Sequence, residues 1–142
     1  MVDVEAVVER LEALQAYVSE LDHYAQHSRD EVTSDFVQYR AAQHSLQLAA
    51  QAVVDIAVHV LAADHDARVQ EYRQAIEALG QVGVLPAELA SRLAPLAGLR
   101  NLLVHEYLVV EPARVYDLLV GGRADLRAFG RSIAEYLQRP SR

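Results

Sequence analysis

The chain has 142 residues, 52% of them hydrophobic, with four prolines and six glycines, enough for one domain with a sizeable core. The absence of cysteine excludes disulfides, thiolate metal sites and a thiol nucleophile. The net charge of −7 argues against a general nucleic-acid binder, yet residues 1–91 hold 5 arginines against 15 acids, whereas residues 92–142 hold 8 arginines against 5 acids. The acidic start Met1-Val2-Asp3-Val4-Glu5 is unlike a signal peptide. No apolar run of about 18 residues is found, so no membrane span is expected and a cytoplasmic protein is the default.

The spacing predicts a first helix over 3–27, with Val4, Val7, Val8, Leu11, Leu14, Val18 and Leu21 on one stripe. Residues 28–35 read as a polar connection in which Thr33 or Ser34 would cap the next helix. That second, longer helix is expected over 35–63, with Phe36, Tyr39, Gln43, Leu46, Ala50, Val53, Ala57 and Val60 forming a seam of small and large residues suited to close antiparallel packing. Asp64-His65-Asp66 ends it. A third helix over 67–80 would stop at Gly80 and Gly83.

Pro86 suits the first position of a fourth helix, whose buried face is marked by Leu89, Leu93, Leu96 and Leu103. Pro95 and Gly98 predict a kink in it. Glu111-Pro112 starts a last helical region, 112–138, which Gly121-Gly122 is expected to split or bend. The expected fold is all-α, an antiparallel bundle of four main helices plus one or two short ones, in a single domain over 1–138 with a short tail at 139–142.

One stretch breaks the apolar pattern. Where the fourth stripe calls for an aliphatic residue between Leu96 and Leu103, the chain has Arg100, followed by Asn101, His105 and Tyr107. Arginine is a permanent planar cation able to grip a phosphate with two parallel hydrogen bonds. Histidine gives or takes a proton near neutral pH. Together they are the minimum equipment for cleaving RNA without a metal: the 2′-hydroxyl attacks its own phosphorus, the histidine moves a proton, and the arginine steadies the charge on the phosphoryl oxygens. On a straight helix Arg100 and Tyr107 nearly eclipse, while His105 lies roughly 140° from Arg100. Arginine's reach, a local distortion or a second subunit must close that gap.

The series Arg100-Asn101, His105 and Tyr107 resembles the motif of HEPN-domain proteins of the HepT type. The similarity extends to Val54-Asp55-Ile56-Ala57-Val58-His59-Val60 and, in order, to Tyr72, Gly83-Val84-Leu85-Pro86, Val115-Tyr116 and Leu126 to Phe129, across roughly residues 35–138. The resemblance implies an all-helical homodimer, the endoribonuclease toxin of a type VII-like toxin–antitoxin pair whose antitoxin is a minimal nucleotidyltransferase of the MntA type. It implies Arg100 and His105 as catalytic residues, Asn101 and Asp55 in support, and Tyr107 as the residue that the antitoxin modifies with AMP. RNA is the implied substrate, and no metal or other cofactor is required.

Blander readings stand beside these. Arg100 is also read as a structural partner of Asp55, an acid that interrupts an apolar helix; His105 as a core histidine; and Tyr107 as an amphipathic edge residue. The same bundle serves equally as a non-catalytic module that docks a nucleotidyltransferase or a nucleotide, which the acidic net charge favours. Glu20-x-x-His23 and His27 give one half of a di-metal pattern without a second half, so no metal site is expected.

Overall fold

The computed structural model describes residues 1–105 and 110–140. Regular structure among them is entirely helical: α1 (Val4–Ala25), α2 (Arg29–Ser34), α3 (Phe36–Asp64), α4 (Tyr72–Gln81), α5 (Ala87–His105) and α6 (Pro112–Leu137). Four long helices and two short ones make the expected bundle.

The bundle is organised around α3, which packs against each of the other five helices. Leu46, Val53, Val54, Ile56, Val60 and Leu61 are fully buried, and Ala42, Ala49, Ala50 and Ala57 between them let neighbouring helices approach closely. Contrary to the expectation that no segment qualifies, α3 is long and apolar enough to cross a membrane by length and composition alone, with a window of mean hydropathy 1.7. Of that window 56% is buried inside the bundle, so the apolarity is that of a core helix.

Local chemistry sets the element ends. Asp3 caps α1 by accepting from the Ala6 N–H. Within 28–35 the chain makes a helical turn: Ser28 caps α2, accepting from the Glu31 N–H at 3.1 Å. Thr33 and Ser34, expected as caps, instead donate their hydroxyls to the Arg29 and Asp30 carbonyls within that turn. Asp35 is the cap of α3, because its extended backbone aims one carboxylate oxygen at the N–H groups of both Val37 and Gln38. Phe36 is not part of the buried seam. It is 68% exposed, with the Arg40 guanidinium over its ring.

The third expected helix begins five residues late, at Tyr72. Beyond α3, Asp66 takes a positive φ of 48° and the Ala67 N–H returns to the Leu61 carbonyl, which turns the chain out of the helix. Gly83, with φ 79°, closes the end of α4 while Val84 and Leu85 donate to the Leu79 carbonyl. Pro86 stands just before α5, its carbonyl accepting from Ala90, rather than inside the first turn. The Gly121-Gly122 pair does not split α6, which is continuous from Pro112 to Leu137. Leu119 and Leu126 on either side are fully buried, and that packing outweighs the glycines' weak helix preference.

Charged and polar pairs fix the helices' mutual positions. Asp22 on α1 pairs with Arg123 and Arg127 on α6, and these guanidinium groups, Arg127 foremost, hold its carboxyl below the ordinary range. Arg92 on α5 pairs with Asp125 on α6 at 3.0 Å. Two glycines separate packing from propensity. A Cβ at Gly80 would lie 2.7 Å from the Ala90 Cβ, so α4 approaches α5 only because that atom is missing; a Cβ at Gly130 would meet nothing within 4 Å. Gly80→Ala is expected to destabilise the fold by about 1–2 kcal/mol, since Ala90 has no flexible end to move aside. Gly130→Ala should stabilise it by about 0.5–1 kcal/mol. Denaturant midpoints moving the same way for both would refute this account of the α4–α5 contact.

Candidate active site

Helix α5 has two jobs in its second half. Leu99 and Leu103 face the core, and the residues between them carry polar chemistry. Arg100 is half-buried, Asn101 is exposed, and His105 is the exposed last residue of the helix. Tyr107, and with it the modification expected there, lies outside the described residues.

The Arg100 guanidinium is held on several sides. Its Nε–H donates to Gln51 Oε1 at 2.5 Å, and one Nη1–H donates to Asn101 Oδ1 at 3.0 Å. The cation also stands over the Tyr72 ring, 5.4 Å from its centre, where the ring's negative face attracts it. The direct pairing with Asp55 read from the sequence is not formed. Gln51 stands between the two, its Nε2 donating to Asp55 Oδ1 at 2.7 Å. The cause is helix geometry: Gln51 and Asp55 are one turn apart on α3, so both face α5, and the glutamine has the longer reach. Asp55 and Asn101 therefore both belong to the arginine's surroundings.

His105 is not brought to Arg100. Its side chain makes no hydrogen bond to a described residue, and α5 keeps the two residues five positions apart on one helix. Four of the other five histidines are engaged elsewhere. His23 and His27 meet edge to face, His27 pairs with Glu31, and His59 accepts from the Asp3 N–H. His65 bonds the Tyr136 hydroxyl. Among the described residues no three histidines, aspartates or glutamates gather closely enough to hold a metal ion.

Two hollows flank this end of α5. One, about 400 Å³, lies between the start of α4 and α5 and is lined by Glu71, Tyr72, Gly98 and Asn101 among others. The larger, about 620 Å³, runs between α5 and α6 along Gly98, Leu102, Leu118, Gly121 and Gly122, with Arg92 and Arg114 at its sides. Leu102 and Leu118 are unusually exposed for leucines, at 37% and 36%.

The profile of the ribonuclease HepT-like family matches residues 14–133. The chain belongs to that family. It is 33% identical over 139 residues to the tRNA nuclease HepT of Aphanizomenon flos-aquae (strain 2012/KM1/D3), spanning 96% of this chain and 95% of that protein. Its fold matches a tri-AMPylated Shewanella oneidensis HEPN toxin solved in complex with an MNT antitoxin, with a TM-score of 0.82 at 22% identity over 95% of this chain and 99% of that one. It also matches YutE of Bacillus subtilis, described as a cytosolic protein of unknown function, with a TM-score of 0.85 at 19% identity over 96% and 92% of the two chains.

Within this HepT-like chain, sequence reasoning singled out Arg100, Asn101 and Asp55, passed over Gln51, and met Tyr72 only as part of the family resemblance, without a role at the site. A signal for Gln51 was present. It and Asp55 are polar residues four apart in a helix otherwise filled with alanine, valine and isoleucine. The contact of Tyr72 with the arginine had no such signal, because an aromatic at the start of an amphipathic helix looks like any core edge.

Proposed function

We propose that this HepT-like protein is an endoribonuclease toxin that cleaves RNA without a metal ion. Arg100 binds the scissile phosphate and His105 acts as general acid/base, with Asn101 and Asp55 supporting the arginine. The 2′-hydroxyl attacks phosphorus, the 5′-oxygen leaves with a proton, and the products are a 2′,3′-cyclic phosphate and a 5′-hydroxyl. The observation that carries this reading is the half-buried guanidinium fixed beside the exposed end of α5, in a chain of a ribonuclease family. Such a protein acts where its RNA is, in the cytoplasm. The opposing reading, a docking module without catalysis, draws on the net charge of −7.

The working unit is a symmetric dimer. Arg100 faces α3 and α4, helix geometry sets His105 roughly 140° away from it, and a second protomer completes one site. The glycine-floored groove between α5 and α6, with exposed Leu102 and Leu118 beside the motif, is the surface suited to that contact.

The partner is a nucleotidyltransferase of the MntA type. It transfers AMP from ATP to the Tyr107 hydroxyl, the oxygen bonding to the α-phosphorus as pyrophosphate leaves. The phosphodiester would add negative charge and an adenosine two positions from His105 in sequence, which opposes binding of a second phosphate at the clamp. The solved toxin of like fold carries AMP groups and is bound to its MNT antitoxin, in keeping with this arrangement.

Three outcomes are expected. Arg100→Ala and His105→Ala should each abolish toxicity and cleavage of total RNA in EDTA, with unchanged circular dichroism; retained cleavage in both would refute the catalytic assignment. Leu118→Arg should convert a dimer in light scattering into a folded monomer without toxicity, and a dimer of unchanged stability would place the interface elsewhere. Co-expression with the nucleotidyltransferase should add AMP to the wild type but not to Tyr107→Phe. Equal added mass in both would remove Tyr107 from the scheme.

A further inference from the structure

Arg100 differs from the arginines of the protein that form ion pairs. Arg29, Arg73, Arg92, Arg123 and Arg127 each pair with a carboxylate. Every partner of Arg100 among the described residues is neutral: the Gln51 amide, the Asn101 amide and the Tyr72 ring. The one carboxylate on that face of α3, Asp55, is kept a residue away by Gln51.

The orientation of the Gln51 amide follows from its neighbours. A guanidinium only donates and an ionised carboxylate only accepts. An amide carries one group of each kind, so its oxygen must face Arg100 and its nitrogen Asp55. Asp55 thus locks the amide, and the amide locks Nε of the arginine. Of the five guanidinium N–H donors, one on Nε and one on Nη1 are used in this way. Among the described residues the remaining Nη1 donor and both on Nη2 have no partner and are open to a ligand.

We infer that Gln51 is the positioning residue of Arg100, a neutral spacer that fixes the guanidinium through Asp55 without letting the carboxylate cancel its charge. The inference rests on the reading of Arg100 as the phosphate clamp. A carboxylate in direct contact would hold the arginine equally still, but it would compete with the phosphate for the same charge. Position and charge are therefore separable at residue 51, and two substitutions separate them. Gln51→Glu keeps an acceptor facing Nε, where the guanidinium holds it, and adds the charge while giving up the donor to Asp55. Gln51→Met keeps the length and neutrality and removes the hydrogen bonds.

The test uses the full-length protein and three measurements: binding of a mixed-sequence, fully 2′-O-methylated single-stranded RNA across a salt series, the rate of cleavage of total RNA, and the Arg100 Nε–H resonance. Gln51→Glu should weaken binding at least tenfold, close to the loss in Arg100→Ala, and lower the salt slope by about 0.7, the share of one phosphate contact on a single strand. It should retain the Nε–H signal. Gln51→Met should bind within about twofold of wild type with an unchanged salt slope, yet cleave at least tenfold more slowly and lose the slowly exchanging Nε–H. Thermal melts of both variants separate these effects from unfolding, and the Met variant alone decides the positioning role if the Glu variant does not fold. Wild-type binding and salt slope in Gln51→Glu, or wild-type cleavage in Gln51→Met, would overturn the inference while Arg100→Ala remains inactive. If Arg100→Ala itself binds and cleaves as wild type, the clamp reading and the spacer fall together.

Discussion

The structure depends on the burial of α3 along most of its length. A helix this apolar, in contact with every other helix, leaves its neighbours few places to go. Its alanines set how near they come, and its leucine, isoleucine and valine side chains set the faces against which they rest. Burying a polar atom on such a helix without a partner is costly, and α3 carries two, Tyr39 Oη and Gln43 Nε2, that have no partner among the described residues. Gln51 and Asp55 satisfy one another, and the remaining glutamine oxygen takes up the arginine of α5. The polar interruption of the core helix and the polar interruption of α5 are therefore one network.

That network explains how a single helix serves both packing and chemistry. Leu99 and Leu103 bind α5 to the core, and Arg100 lies next to that buried edge, so its guanidinium emerges where α3 and α4 meet the helix. The close approach at Gly80 and Ala90 keeps α4 against α5, and hence the Tyr72 ring beneath the cation. A small change in the spacing of two short-sided helices would reach the arginine without touching any residue of the motif.

The periodic stripes of α1, α3 and α6 were legible because burial repeats with the helical period. Legibility failed where a local hydrogen bond or a tertiary contact decided the outcome. Thr33 and Ser34 have the right chemistry for caps, but Asp35 stands next to α3 with an acceptor for two N–H groups. Phe36 fits the seam by spacing and lies outside it, because the first turn of α3 extends past the bundle. Gly121-Gly122 reads as a break until the buried leucines on both sides are known. At the site, Arg100 announced itself as a cation in an aliphatic stripe. Gln51 did not, because a neutral amide in a long helix carries no charge pattern to notice, and its role appears only when α3 and α5 are brought together. The reading of Tyr107 rests on family resemblance alone, and the residue lies outside the described residues.

The bond from Arg100 to Gln51 spans 49 positions of sequence. During synthesis the glutamine leaves the ribosome well before the arginine, and α5 docks only after its own last residues have emerged. An unfinished chain therefore presents a guanidinium with nothing to aim it. The same holds in reverse at the end of the protein's life: a degradative machine that pulls α5 away from α3 disperses the arrangement before any peptide bond is cut. For the ribonuclease activity proposed here, capability is confined to the interval between completed folding and first unfolding.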